Sequence, residues 1–128
     1  MTSLISIYTG GILTIGMAIF HTRFYRLFRW NEEYEKLSEV NRRIFYTIHI
    51  FLLLIFLVIG ILSLIYASTL SQCLGIALGF NLFISLFWLM RIVWQIIYFK
   101  GKAMHYLLIV YFFLLFASYA IPVAIKII

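Results

Sequence analysis

Apolar side chains do not alternate with polar ones along this chain. They run in four long blocks separated by three short polar connections. The blocks extend from about Leu4 to Phe24, Ile44 to Ala67, Leu74 to Phe99 and Met104 to Ile128. A helix needs about 20 predominantly apolar residues to cross a hydrocarbon core of roughly 30 Å. Barrel strands would be about half as long and would alternate. Each block therefore predicts a transmembrane helix. Together they predict an all-α integral membrane protein, an antiparallel four-helix bundle forming one transmembrane domain over residues 1–128, with no room for a separate soluble domain. The first block reads as a signal anchor and not a removable signal peptide. It has no Lys or Arg before its apolar run and is too long for an h-region.

Composition closes the other classes. Of the 128 residues, 66% are hydrophobic, 20% aromatic and 11% charged, where a soluble domain carries roughly 25% charged residues. Such a chain could not hide this much apolar surface behind its own polar skin. One cysteine, Cys73, excludes a disulfide scaffold, and the hydrophobicity excludes disorder.

The connections set an orientation. The charged segment 25–43, with Arg23 just before it, contains Arg26, Arg29, Lys36, Arg42, Arg43 and every acidic residue of the chain: Glu32, Glu33, Glu35 and Glu39. The third connection is Lys100-Gly101-Lys102, on the same side, so eight of the ten basic residues gather there. By the positive-inside rule this side is cytoplasmic and both termini are non-cytoplasmic. The net charge of +6 is then met by anionic lipid headgroups and calls for no nucleic acid. Aromatics dense at this end, among them Phe24, Tyr25, Trp30, Tyr46 and Trp94, predict an interfacial belt. Residues Arg23–Trp30 predict an interfacial helix, and Ser38 an N-cap for the second span.

Ionisable groups inside the membrane are costly and are the default functional candidates. Arg91 lies about 13 Å from Lys100 along a helix, near the midplane. At 3.6 residues per turn, Asn81, Ser85, Trp88, Arg91 and Gln95 fall within one arc of about 120°, a polar stripe that should face protein. Small and polar residues line single faces elsewhere: Gly10, Thr14, Ala18 and His21 in the first span, and His49, Gly60, Ser63 and Ala67 in the second. Gly75 with Gly79, and Ala117 with Ala120 and Ala124, predict further close helix contacts, and a homo-oligomer or a membrane-protein partner is compatible with them. His21, His49 and His105 all fall in the cytoplasmic half. With Arg91 and Gln95 they are candidates to line one cavity.

No Asp or Glu lies in any span, so an anion for Arg91 must come from elsewhere: a lipid phosphate, a haem propionate, an acidic metabolite, or a glutamate of the 32–39 segment folding back. The planar guanidinium suits oxyanions held bidentately. The alternatives are a side chain that bonds backbone carbonyls or snorkels, and histidines that are merely interfacial. A haem held by two histidines, His49 and His105 first, or a quinone bound by Trp88, His49 and Arg91, would make the protein a redox module. Three imidazoles at different depths with no close spacing do not predict a metal site. No nucleophile elbow, zinc-protease helix or phosphate loop is present, and one cysteine cannot run a dithiol relay. The reading is a non-enzymatic subunit or binding module, with a cytoplasm-facing polar pocket for an anionic amphiphile or lipid headgroup. Its candidate site residues are Arg91, Gln95, Trp88, His49, His21 and Asn81.

Three phrases carry a resemblance: Phe20-His21-x-x-Phe24-Tyr25-Arg26-Leu27-Phe28-Arg29-Trp30, then Leu37-Ser38-x-x-Asn41-Arg42, then Ser85-Leu86-Phe87-Trp88-Leu89-Met90-Arg91-x-x-x-Gln95. Over Phe20 to Phe99 the chain resembles a family of small bacterial membrane proteins to which no activity is assigned. The resemblance implies four spans and a place in the bacterial inner (plasma) membrane, and puts His21, Trp88, Arg91 and Gln95 inside the shared phrases.

Overall fold

A computed structural model describes all 128 residues. The chain is all-α, with seven helices: α1 (Thr2–His21), α2 (Phe24–Leu27), α3 (Trp30–Glu35), α4 (Glu39–Ile65), α5 (Ala67–Gln72), α6 (Ile76–Tyr98) and α7 (Ala103–Ile127). Four of them, α1, α4, α6 and α7, are long and apolar enough to cross a membrane. The protein is thus a multi-pass membrane protein. Most of the large side chains of α4 and α6 remain exposed, Ile65 and Phe83 among them, as expected of helices solvated by lipid tails.

Four long helices form an antiparallel bundle in which α1 is central to one side, packed on both α4 and α7, while α7 also packs on α6. Small residues make the first contact possible. A Cβ at Gly60 would lie 3.1 Å from the Gly11 carbonyl oxygen and the Ile15 nitrogen, so α1 and α4 meet backbone to backbone. A Cβ at Gly10 would lie 3.0 Å from Ser118 on α7. Polar groups then tie the three helices. The Tyr119 hydroxyl is 2.7 Å from Ser63 Oγ and 3.4 Å from Thr14 Oγ1, and the Tyr111 hydroxyl donates to the Leu13 carbonyl at 2.6 Å. Each partner lies on a different helix, so these bonds fix rotation as well as distance.

Helix α5 plugs the end of the bundle remote from the charged segment. Asn81, fully buried on α6, donates to the Leu70 carbonyl at 2.8 Å and approaches Cys73 Sγ at 3.6 Å. At the other end Ser38 caps α4, its hydroxyl accepting the Asn41 N–H at 3.3 Å.

Three sequence expectations are corrected. The interfacial helix over Arg23–Trp30 is broken: α2 ends at Leu27, and Arg29 takes a left-handed conformation (φ 51°) before α3 begins. The break lets Phe24 and Trp30 approach each other, ring centroids 5.9 Å apart. Gly75 and Gly79 pack against nothing, since an added Cβ would meet no atom within 4 Å. On α7 the buried face holds Phe112, Leu115, Ser118, Tyr119, Pro122 and Val123, and not the alanines. The large side chains win there because they reach the bundle axis and make the hydrogen bonds just described.

Candidate anion-binding cleft

Although α4 and α6 are consecutive spans, they do not pack backbone to backbone. What joins them is aromatic. Phe56 on α4 lies 5.4 Å from Trp88 and 6.0 Å from Phe87 on α6, and Trp88 stacks in turn on Phe112 of α7 at 5.5 Å. Trp88 is 2% exposed. This layer closes the middle of the bundle. Between it and the charged end lies a cleft of about 810 Å³, walled by α6 and α7 on one side and by Phe45 and the α2–α3 segment on the other.

Arg91 sits at the deep end. Its guanidinium carbon is 4.6 Å from the Phe112 ring centroid and 5.5 Å from that of Phe99, a cation–π arrangement that holds the group in place. Arg91 Nη1 is buried with no hydrogen-bond partner. Gln95, one turn further on the same face, is 2% exposed. Its amide nitrogen lies 3.2 Å from His105 Nδ1, and its Oε1 is unpartnered. Across the cleft, Tyr34 of α3 is 6% exposed with an unpartnered hydroxyl. Burial, with the neighbouring Tyr25, pushes the Tyr34 phenol above its ordinary value, so it remains a neutral O–H. Three buried polar groups without partners on the walls of one cleft are unusual, since buried polar atoms are nearly always hydrogen-bonded.

The carboxylates of the charged segment do not neutralise Arg91. Glu33 lines the cleft, but its carboxylate is 3.1 Å from Lys36 Nζ. Glu32 lies 4.0 Å from Arg29, and Glu39 pairs with Arg43. Lys100 and Lys102 add two more cations at the rim. The balance of charge on the walls is positive, and the deepest group is the cation least able to reach water.

The candidate residues divide into four places. Arg91 and Gln95 line the cleft, joined by His105. Trp88 does not line it and lies one turn before Arg91 in the aromatic layer. His21 and His49 are not among its lining residues; their ring centroids are 6.0 Å apart, and His21 packs on Phe56 of the aromatic layer at 5.1 Å. His21 Nδ1–H donates to the Met17 carbonyl at 2.9 Å, and His49 packs on Trp30 at 4.7 Å. The two histidines and the cleft share Phe24 and Trp30 as a partition. His49 and His105 are therefore in different groups. Asn81 belongs to the opposite end of the bundle, engaged with α5, because ten residues of helix separate it from Arg91 by about 15 Å. No three His, Cys, Asp or Glu side chains form a metal-binding group.

Tyr34, Phe99 and Phe112 were not joined to Arg91 by the sequence, whereas His105 was, as one of the three histidines of the charged half. Of the three, only Phe99 carried a signal, through its nearness to the basic turn. The α3 roof and the Phe112 ring come from elements whose rotation no periodicity fixes. No protein-family model, curated protein or solved structure matches the chain.

Proposed function

We propose that this protein is a membrane-embedded binding module or subunit, without catalytic machinery of its own, whose cleft holds the oxyanion of an anionic amphiphile. In this reading the charged end faces the cytoplasm, the membrane is a bacterial inner membrane, and the termini lie on the far side. The observation that carries it is Arg91: a half-buried cation, fixed between two aromatic rings, with an unpartnered Nη1 and no carboxylate. An unpaired charge removed from water is strongly disfavoured, and a phosphate or carboxylate received on the guanidinium edge removes the imbalance. Apolar walls beside a few converging polar groups suit an amphiphile better than a small hydrophilic ion.

The test is a pull-down from membranes in mild detergent followed by extraction and mass spectrometry of retained lipid. Arg91→Ala should lower retention of the anionic species far more than Lys126→Ala, whose lysine lies at the opposite end of α7. Equal effects would remove the reading. The absorbance spectrum of the same preparation addresses the redox alternative: a Soret band lost on His49→Ala would favour a haem module, and a stoichiometric quinone in the extract would favour a quinone module.

A further inference from the structure

The cleft has a floor, a back and a roof, and they leave one side open. Its floor is Arg91, whose guanidinium rests on Phe112 of the buried Phe56–Trp88–Phe112 layer. Its back is α7, through His105 and Leu108. Its roof is α3, where Tyr34 is buried and Arg42 Nε donates to the Tyr34 carbonyl at 3.0 Å, pinning α3 to the start of α4. The remaining side is the seam between α4 and α6, flanked by Phe45 on one helix and Tyr98 and Phe99 at the end of the other. The two helices do not pack backbone to backbone across that seam, where Phe56 meets Phe87 and Trp88, and the flanking side chains are about half exposed to what is, for these helices, lipid.

We propose that the ligand is a phospholipid of the bilayer leaflet at the charged end, which slides its head sideways between α4 and α6 onto Arg91 and leaves its acyl chains in the membrane. The inference rests on the anion-site reading above and adds the source of the ligand and its route. Charge complementarity selects an anionic head: Arg91 at depth, with Lys100 and Lys102 at the rim against the single carboxylate of Glu33. The chains leave by the side, where the flanking Phe45, Tyr98 and Phe99 are about half exposed. A free oxyanion entering from water beside Lys100 and Lys102, by contrast, would have to desolvate between Phe99 and Phe112 without apolar surface of its own to bury.

The experiment uses full-length protein in phosphatidylcholine vesicles, with Trp94→Phe as background because Trp94 is 52% exposed on the lipid face. Phosphatidylglycerol brominated on its acyl chains is titrated in, and tryptophan fluorescence is read. Trp30 lines the cleft, and Trp88 lies in the aromatic layer one turn from Arg91. The expected result is a saturable quenching component at low mole fraction, not displaced by a large molar excess of soluble glycerol phosphate. Arg91→Gln should weaken it by about tenfold to a hundredfold, the range for one charge-assisted hydrogen-bonding group. Displacement by glycerol phosphate would overturn the lateral route while leaving the anion site standing. Quenching that rises linearly with mole fraction in the unsubstituted Arg91 background, with no saturable part, would overturn both. Neither of these readings depends on how well the Arg91 variant folds.

Discussion

The two halves of the bundle solve the same problem in opposite ways. At the end remote from the charged segment, α1, α4 and α7 meet through glycines, and the hydroxyls of Thr14, Ser63 and Tyr119 satisfy one another across three helices. At the charged end the helices part around about 810 Å³, and Arg91, Gln95 and Tyr34 keep unpartnered polar atoms. Lipid tails are as apolar as leucine, so association within the membrane comes from close packing and interhelical hydrogen bonds. The first half has both, and the second has neither across the α4–α6 seam. Close packing and interhelical hydrogen bonds are concentrated in one half, while three of the four buried side-chain atoms without partners lie in the other, Asn81 Oδ1 being the fourth, a division expected where a binding site is kept open against the interest of the fold.

The sharpest way to break this comparison is to damage the tight half. Gly60→Leu places a side chain against the Gly11 carbonyl and the Ile15 backbone, which cannot yield without moving a helix. Overpacking of a rigid contact costs about 3 kcal/mol or more when backbone must shift, and thermal unfolding in detergent should show a large fall or loss of the folded protein. Gly79→Leu is the control. It meets open space and should change stability by less than about 1 kcal/mol, within the range of a helix-propensity gain. Comparable losses at both positions would mean that the glycine contact is not what holds α1 to α4.

A smaller effect sharpens the same point. Tyr119→Phe removes the hydroxyl shared by Ser63 and Thr14 while keeping the ring that lies 6.3 Å from Phe80. Interhelical hydrogen bonds in membranes are worth about 0.6 kcal/mol on average and about 1.7 at most. A destabilisation of about 1 kcal/mol is expected in the same assay, and no change would show that shape alone fixes the three helices.

How far the sequence reached follows the same division. The apolar blocks implied the four long helices because length and composition are properties of each helix alone. The small-residue faces of α1 and α4 were legible for the same reason: Gly10, Thr14, Gly60 and Ser63 mark their buried side before any partner is known. The alanine face of α7 misled because small size permits close contact without requiring it, and Tyr119 and Pro122 compete for the same interior. The cleft was half legible. Arg91 and Gln95 share a face at one-turn spacing, but His21 and His49 join that face only for particular rotations of α1 and α4, and the structure stacks them behind Phe24 and Trp30. The α3 roof depends on one backbone conformation, the left-handed Arg29, which no pattern in the charged segment announces because arginine rarely adopts it.

The smallest expected change in stability is the most informative. Arg91→Met keeps a long, flexible side chain against Phe112 and removes a cation that has no carboxylate partner. Lost cation–π attraction, about 0.5–2 kcal/mol, opposes the relief of a charge held away from water, and apolar replacement of buried charge is often neutral or stabilising. Unfolding in detergent should therefore stay level with the original protein or move above it, while retained anionic lipid is lost. If stability instead falls as far as in Tyr119→Phe, the guanidinium is a structural wedge between Phe99 and Phe112. The charged half would then be a second packing solution and not a site, and the contrast between the two ends of the bundle would disappear.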